Sequence, residues 1–352
     1  MIKRTIEISN PARLSLKNQQ MVVEREGFEP ETVPIEDMGV LILNHPAISY
    51  TQGLLIACSE NNVAMILCDR KHLPCAIVLP LESNNLHTRT IAEQIKITEP
   101  TRKRLWQVII QAKIRAQAQV LQLATGDNRP LPAYAKKVRS GDPENIEAQA
   151  AYIYWLKLFG HTFRRDPNGS GINSLLNYGY AVMRSAVARA IVSTGLHPSL
   201  GLHHHNQYNS FCLADDLIEP LRPVVDLKVY MLCKTPMVNP TPPSTFSPLE
   251  RGDGGVFTIN GKLVYTLRKS TSNGQDATEL TTGIKRSLLE ILSQTCIVSG
   301  RSLPLMTALH YYASSVREAI CGEEKQVEIP VMPEAPSRGG CPPLFGRTDS
   351  LR

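Results

Sequence analysis

Between Gly201 and Asp226 the chain reads GLHHHNQYNSFCLADDLIEPLRPVVD, three histidines and four carboxylates in a stretch otherwise patterned as buried helix. Imidazole nitrogens and hard carboxylate oxygens at that density suit a divalent metal centre. His204 and Glu219 are fifteen positions apart, too far for one helical face, so a loop carrying the histidines has to fold back over a helix carrying Asp215, Asp216 and Glu219. Asp216 and Glu219 are three apart and Asp215 and Glu219 four apart, so either pair can share a face. Like charges so placed repel unless a cation lies between them or water surrounds them. Spacing alone weighs equally for acids that are solvated surface charges and histidines that form an exposed loop. Three consecutive histidines also suit zinc, although neighbours in sequence rarely point at one centre.

A third carboxylate stands apart. Glu147 lies one turn into ENIEAQAAYIYWLK, among the small residues Ala148, Ala150 and Ala151, which let another backbone or a substrate come close. A glutamate buried on such a helix is costly unless it is paired or metal-bound; the pattern fits equally well a glutamate on the exposed side.

The elements that must position these groups divide in two. From Met1 to about Ser83 the pattern is short, β-branched and turn-rich: Ile2, Ile6 and Ile8 in an opening strand, a turn at Lys17–Asn18, then Met21–Val23, Val40–Leu43, Val63–Cys68 and Cys75–Leu79. One helix interrupts it, from Thr51 to about Ser59. Beyond Asn84 the apolar period is helical, over Ile91–Ile97, Arg102–Leu123, Pro143–Phe159, Asn173–Thr194, Tyr208–Leu232, Thr282–Ser299 and Leu305–Cys321. Asp142 is a fitting N-cap with Pro143 at the first helical position, and Gly160 and Gly195 are stops. Pro220 and Pro223 should kink or end the helix carrying Glu219. The expected class is α+β: a small β-rich domain over 1–83, a larger all-α domain over 84–232 and 278–328, a Pro/Gly/Ser-rich insertion over 233–277 with one hairpin from Val256 to Leu267, and a tail over 329–352 without a packed core.

A chain of 352 residues, 42% apolar and 20% charged, can bury a large core. The start has no apolar run after its basic residues and no stretch of eighteen apolar residues occurs, so a cytoplasmic protein without a membrane role is expected. The eight cysteines form no C-x-x-C pair and read as reduced thiols. No phosphate loop is present, which argues against nucleotide hydrolysis. The net charge of +6 is unevenly spread. Lys96, Arg102, Lys103, Arg104, Lys113, Arg115, Arg129, Lys136, Lys137 and Arg139 face only Glu99 and Asp127, an imbalance that favours a phosphate backbone as ligand over a merely solvated helix surface.

Three runs carry a resemblance: SGDPENIEAQAA; NSLLNYGYAVMRSAVARAIVSTGLHPSLGLHHHNQYNSFCLADDLIEPLRPVVD; and the opening MIKRTIEISNPARLSLKNQQMVV with PIEDMGVLIL and QGLLIACSENNVAMILCD. Together they closely resemble the CRISPR-associated adaptation integrase, the metal-dependent endonuclease of spacer acquisition, in its type II form. The likeness spans nearly everything but the insertion and the tail. It implies an N-terminal β-sandwich, a helical C-terminal domain, and a site for Mg2+ or Mn2+. Matched motif by motif, the metal ligands and catalytic residues fall on Glu147, His204 and Glu219, with Asp216 at an auxiliary acidic position. Asn173, Tyr178 and Arg184 match polar positions of the helix beside the site and, with His205, Lys136 and Arg139, are the expected nucleic-acid contacts. Relatives often have arginine where this chain has His205, a change that weakens a phosphate contact and leaves the metal set intact.

The resemblance further implies insertion of short double-stranded DNA fragments into CRISPR repeat DNA by attack of a 3′-hydroxyl on a phosphodiester. It also implies a homodimer, and a four-to-two complex with a small adaptation partner. Two other readings compete: a DNA-binding scaffold of the same fold without catalysis, and a metal-dependent hydrolase of a small substrate. The second predicts an enclosed apolar pocket and no basic surface.

Overall fold

The computed structural model describes residues 4–70, 74–80, 84–234, 256–259, 262–265, 279–322 and 326–333. Ile2, the run from 239 to 255 in the insertion and residues 334–352 of the tail lie outside them.

The N-terminal part is two four-stranded sheets face to face. Strands β1 (Arg4–Ile8), β5 (Met38–Leu43), β7 (Ala64–Cys68) and β8 (Pro74–Val78) form one, with β5 parallel to β1 and β7, and β8 antiparallel to β7. Strands β2 (Ala12–Lys17), β3 (Gln20–Glu24), β4 (Glu31–Pro34) and β6 (Ile48–Tyr50) form the other. The turn at Asn18–Gln19 closes the β2–β3 hairpin with both residues at positive φ, +51° and +58°. Helix α1 (Gln52–Glu60) falls where the sequence predicts one.

All six residues of β5 are buried, because both faces of its sheet are covered. Leu41, Leu43 and Met65 pack into the core between the two sheets, with Leu14, Met21 and Leu54. Their neighbours Val40, Ile42 and Ile66 point the other way and join the core of the helical part. A two-residue side-chain period thus makes one strand the wall shared by both halves. Helix α6 (Ile172–Ser193) adds a polar tie, Arg189 Nε donating to the Asn62 carbonyl at 2.5 Å.

The helical part contains α2 (His87–Lys96), α3 (Glu99–Thr125), α4 (Leu131–Lys137), α5 (Ile146–Phe159), α6, α7 (Cys212–Ile218), α8 (Arg222–Lys234), α9 (Thr282–Leu289) and α10 (Leu305–Ile320). Most of α6 is buried, and its part-exposed positions include the polar Asn173, Asn177 and Arg184. Its Gly179 admits α8 closely: a Cβ there would stand 2.5 Å from Val225 Cγ1. Helix α3 is about 40 Å long and packs on α4, α5 and α8.

Several boundaries differ from the sequence expectation. Helix α4 was not expected. Helix α9 stops at Leu289, and a 3-10 turn leads into a hairpin of β11 (Thr295–Val298) and β12 (Arg301–Pro304), turned by Ser299 and Gly300 at positive φ. The apolar run TCIV is as good a strand as a helix end, and periodicity alone does not separate the two. In the insertion, β9 (Val256–Ile259) pairs with β10 (Lys262–Tyr265) inside the expected hairpin. The tail expectation is corrected at its start: Val331 exchanges backbone hydrogen bonds with Ile297 at 2.8 and 2.9 Å, Gln119 Nε2 donates to the Met332 carbonyl, and Ile329 and Met332 pack on the core. Among the described residues the cysteines are free thiols, and no helix is long and apolar enough to cross a membrane.

Candidate functional site

Glu147 owes its position to a turn. Asp142 and Asn145 adopt positive φ of 49° and 50°, so α5 begins at Ile146 rather than at Pro143 as expected. Asp142 still caps it: Oδ1 accepts from Ile146 N and Oδ2 from Glu147 N, both at 2.9 Å. Glu147 therefore sits in the first helical turn, where unpaired N–H groups favour a carboxylate.

Glu219 stands at a break. Helix α7 ends at Ile218, a 3-10 turn covers Glu219–Leu221, and α8 follows from Arg222. Pro220 and Pro223 produce the interruption the sequence predicts, since neither can donate to the preceding turn. The Glu219 side chain is buried, only 7% exposed, and both its oxygens meet cations: Arg222 Nε donates to Oε1 at 2.9 Å and Lys113 Nζ lies 2.5 Å from Oε2. Burial works to raise its pKa, but the charges of Lys113 and Arg222 hold it down at about 2.

Lys113 joins the two glutamates, its Nζ also 2.5 Å from Glu147 Oε1. Burial works against its charge, and the pull of Glu219 and Glu147 outweighs burial and leaves its pKa raised. This corrects its place in the basic stretch: Lys113 is an internal counterion, not a contact on the protein surface. It lies on the core face of α3 with Ile109, Ile110, Ile114 and Gln117, all buried. A lysine in that register was the available sign that α3 faces an acid.

The histidine loop is organised by Asp216, which is fully buried. Its Oδ2 accepts from the backbone N–H of Leu202 at 2.6 Å and of His203 at 3.0 Å; its Oδ1 accepts from His204 N at 3.1 Å and lies 2.6 Å from His204 Nδ1. Hence the loop folds back over α7, as the spacing requires. With Nδ1 committed to a carboxylate, Nε2 is the nitrogen of His204 left for a ligand. The hydrogen bond to Asp216 raises the His204 pKa, whereas burial lowers that of His203, whose ring stacks on Trp106 at 4.1 Å. The rings of His203 and His204 stand edge to face, 5.6 Å between centroids, with Trp106 beside both.

The other expected nucleic-acid contacts differ in exposure. Tyr178 is fully buried and cannot meet DNA in this fold. Asn173 closes the 164–173 loop, donating to the Arg164 carbonyl and accepting from Asp166 N, both at 2.9 Å. Arg184 clamps Asp215 through Nε at 2.6 Å and Nη2 at 3.0 Å, and also donates to Asn209, which makes it a brace of the loop. The partners of Arg184 lie twenty-five and thirty-one residues away, and those of Asn173 seven and nine. His205, Lys136 and Arg139 are exposed, Arg139 pairing with Glu144.

Sequence reasoning also missed a buried acid behind the site. Asp226 accepts from Tyr154 at 2.9 Å and from Tyr180, and burial pushes its pKa up to about 7. It borders a cavity of about 180 Å³ shared with Lys113, Glu219, Arg222, Arg165 and Trp155.

Among the described residues no three His, Cys, Asp or Glu side chains stand ready around one point, and the ammonium of Lys113 lies between the carboxylates of Glu147 and Glu219. The donor types nevertheless suit a hard divalent ion: two carboxylates already close on a single cation, and the imidazole of His204 is oriented by a third acid, Asp216.

Known proteins share the sequence and the fold of this chain. The family model described as CRISPR associated protein Cas1 matches residues 8–245. A CRISPR-associated endonuclease Cas1 from Neisseria meningitidis serogroup C (strain 8013) is 34% identical over 334 residues, 94% of this chain and 96% of the relative. In structure, the chain is similar to a casposase bound to integration product (TM-score 0.69, 18% identity, 97% of this chain and 96% of that one). It is also similar to part of a Cas6-RT-Cas1–Cas2 complex (TM-score 0.65, 15% identity, 93% of this chain and 36% of that one). With a family match over more than half its length and a relative aligned nearly end to end, the chain belongs to the CRISPR-associated protein Cas1 family.

Proposed function

We propose that this chain is a metal-dependent DNA endonuclease and integrase of CRISPR spacer acquisition. The observation that carries the reading is the convergence of Glu147 and Glu219 on one cationic centre beside a histidine held by Asp216. Glu147, Glu219 and Nε2 of His204 would hold Mg2+ or Mn2+. Such an ion, when bound, supplies Lewis acidity toward a phosphoryl oxygen.

In the reaction, the 3′-oxygen of a short DNA fragment forms a new bond to phosphorus at the border of a repeat. The bond from that phosphorus to the resident 3′-oxygen breaks, and the proton of the attacking hydroxyl ends on the departing oxygen. One phosphodiester replaces another, so no nucleotide energy source is needed. Hydrolytic nicking is the same displacement with water as nucleophile. Arg222 keeps Glu219 ionised, Asp142 holds Glu147 at its helix start, and Asp216 presents His204. Exposed basic residues such as Lys136 and Arg139 would track the DNA backbone without reading sequence.

Insertion of both fragment ends demands two sites at a fixed separation. We therefore assign the working form to a homodimer, paired by a Cas2-type partner in a four-to-two complex and acting in the cytoplasm. The test uses the purified protein, that partner and a repeat-containing plasmid. Joining should require Mg2+ or Mn2+ and be lost in Glu147→Ala, His204→Ala and Glu219→Ala. Joining at wild-type rate by Glu147→Ala, or in the presence of chelator, refutes the assignment.

A further inference from the structure

Lys113 stands where two acids meet, with Nζ at 2.5 Å from both Glu147 Oε1 and Glu219 Oε2. Resting on the metal-site reading above, we propose that Lys113 is a built-in competitor of the divalent ion, which must displace the ammonium from between the two carboxylates in order to bind.

The reasons are steric and electrostatic. A magnesium ion takes carboxylate oxygens at about 2.0–2.1 Å, and an ammonium already in contact with the same two oxygens occupies that space. Arg222 does not stand in for Lys113, since it holds Glu219 through the other oxygen, Oε1. Without any cation, two carboxylates would face each other in a pocket where Glu219 is nearly closed from water. Lys113 therefore keeps the metal-free site assembled, and the same contact lowers its affinity for metal.

The surroundings allow the exchange. The backbone of Lys113 is fixed, because Ile109, Ile110 and Ile114 hold this face of α3 in the core. Its four-carbon stem is the movable part. The adjoining cavity of about 180 Å³, bordered by Gln117, Trp155 and Asp226, has room for the displaced ammonium.

The experiment measures Mn2+ affinity of the full-length protein by the electron paramagnetic resonance signal of free Mn2+ at one pH, alongside melting temperatures in chelator and in saturating Mn2+. Lys113→Met and Lys113→Gln should bind Mn2+ roughly tenfold or more tightly than wild type. They should also melt lower than wild type in chelator, with the gap closing when Mn2+ saturates. Affinity equal to or weaker than wild type in both variants overturns the proposal. If neither variant folds without metal, Lys113→Arg decides: it keeps a cation in place and should bind Mn2+ no more tightly than wild type, and tighter binding overturns the proposal. Glu147→Ala tests the underlying reading separately, because Mn2+ affinity unchanged in that variant refutes the metal site itself, whatever Lys113 does.

Discussion

Asp216 and His204, twelve residues apart in sequence, are joined by a 2.6 Å contact between Oδ1 and Nδ1, and the same carboxylate accepts three backbone N–H groups of the histidine loop. A fully buried acid is tolerated here because its oxygens are saturated by donors. Asp216 is therefore a positioning residue: it sets the path of the loop and chooses the ring nitrogen that faces outward.

Asp216→Asn should lower joining activity by roughly 10- to 100-fold, the usual cost of losing a carboxylate behind a ligand histidine. The pH profile provides a separate readout. The Asp216 contact raises the His204 pKa, so in wild type acid competes for the imidazole at a higher pH than it would for a free histidine. In the variant the acid limb of activity should move to lower pH. An unmoved limb, measured across the imidazole range, would show that Asp216 does not act through His204.

Gly201 lies closely packed under the histidine loop. A Cβ at that position would lie 2.3 Å from the His204 carbonyl oxygen, 2.9 Å from Cys212 Cβ and 3.0 Å from Asp216 Oδ2. Backbone cannot yield as a flexible side chain does, so Gly201→Ala should destabilise the fold by about 1–3 kcal/mol and reduce joining. Urea unfolding checks the first and the plasmid assay the second.

The buried pair of tyrosines on Asp226 has a consequence for stability. Burial raises the folded-state pKa of Asp226 to about 7. The folded protein then retains a proton that the unfolded chain releases near pH 4, so the contribution to stability is full below that value and is lost as pH rises to about 7. Asp226→Asn removes this proton. Between pH 5 and 8 the variant should lose less stability than wild type, by on the order of a few kcal/mol. Parallel urea unfolding curves at both pH values would contradict the raised pKa.

Binding to duplex DNA should weaken steeply with salt if the exposed basic residues meet phosphates. The double variant Lys136→Ala/Arg139→Ala should reduce the slope of log affinity against log salt by about 1 to 2, independently of DNA sequence. Fluorescence anisotropy over a salt series measures this. A slope equal to wild type would place the DNA on another face.

The order of β-rich and helical parts, most helices, and the break around Glu219 were legible in the chain, because apolar period and proline position are local properties. So was the folding of the histidine loop over its acids, which follows from residue types too far apart for one helical face. The start of α5 was read three residues early, because positive φ at Asp142 and Asn145 leaves a weak trace in composition.

What the sequence alone determined was the family, the succession of elements and the acids and histidines available to a metal. Only the tertiary structure decided their partners. Lys113 and Glu219 are more than a hundred positions apart, Tyr154 and Asp226 seventy-two, and nothing local marks either pair. Such contacts form where α3, α5 and the α7–α8 break pack together, and it is the cost of leaving a buried charge unpaired that selects them.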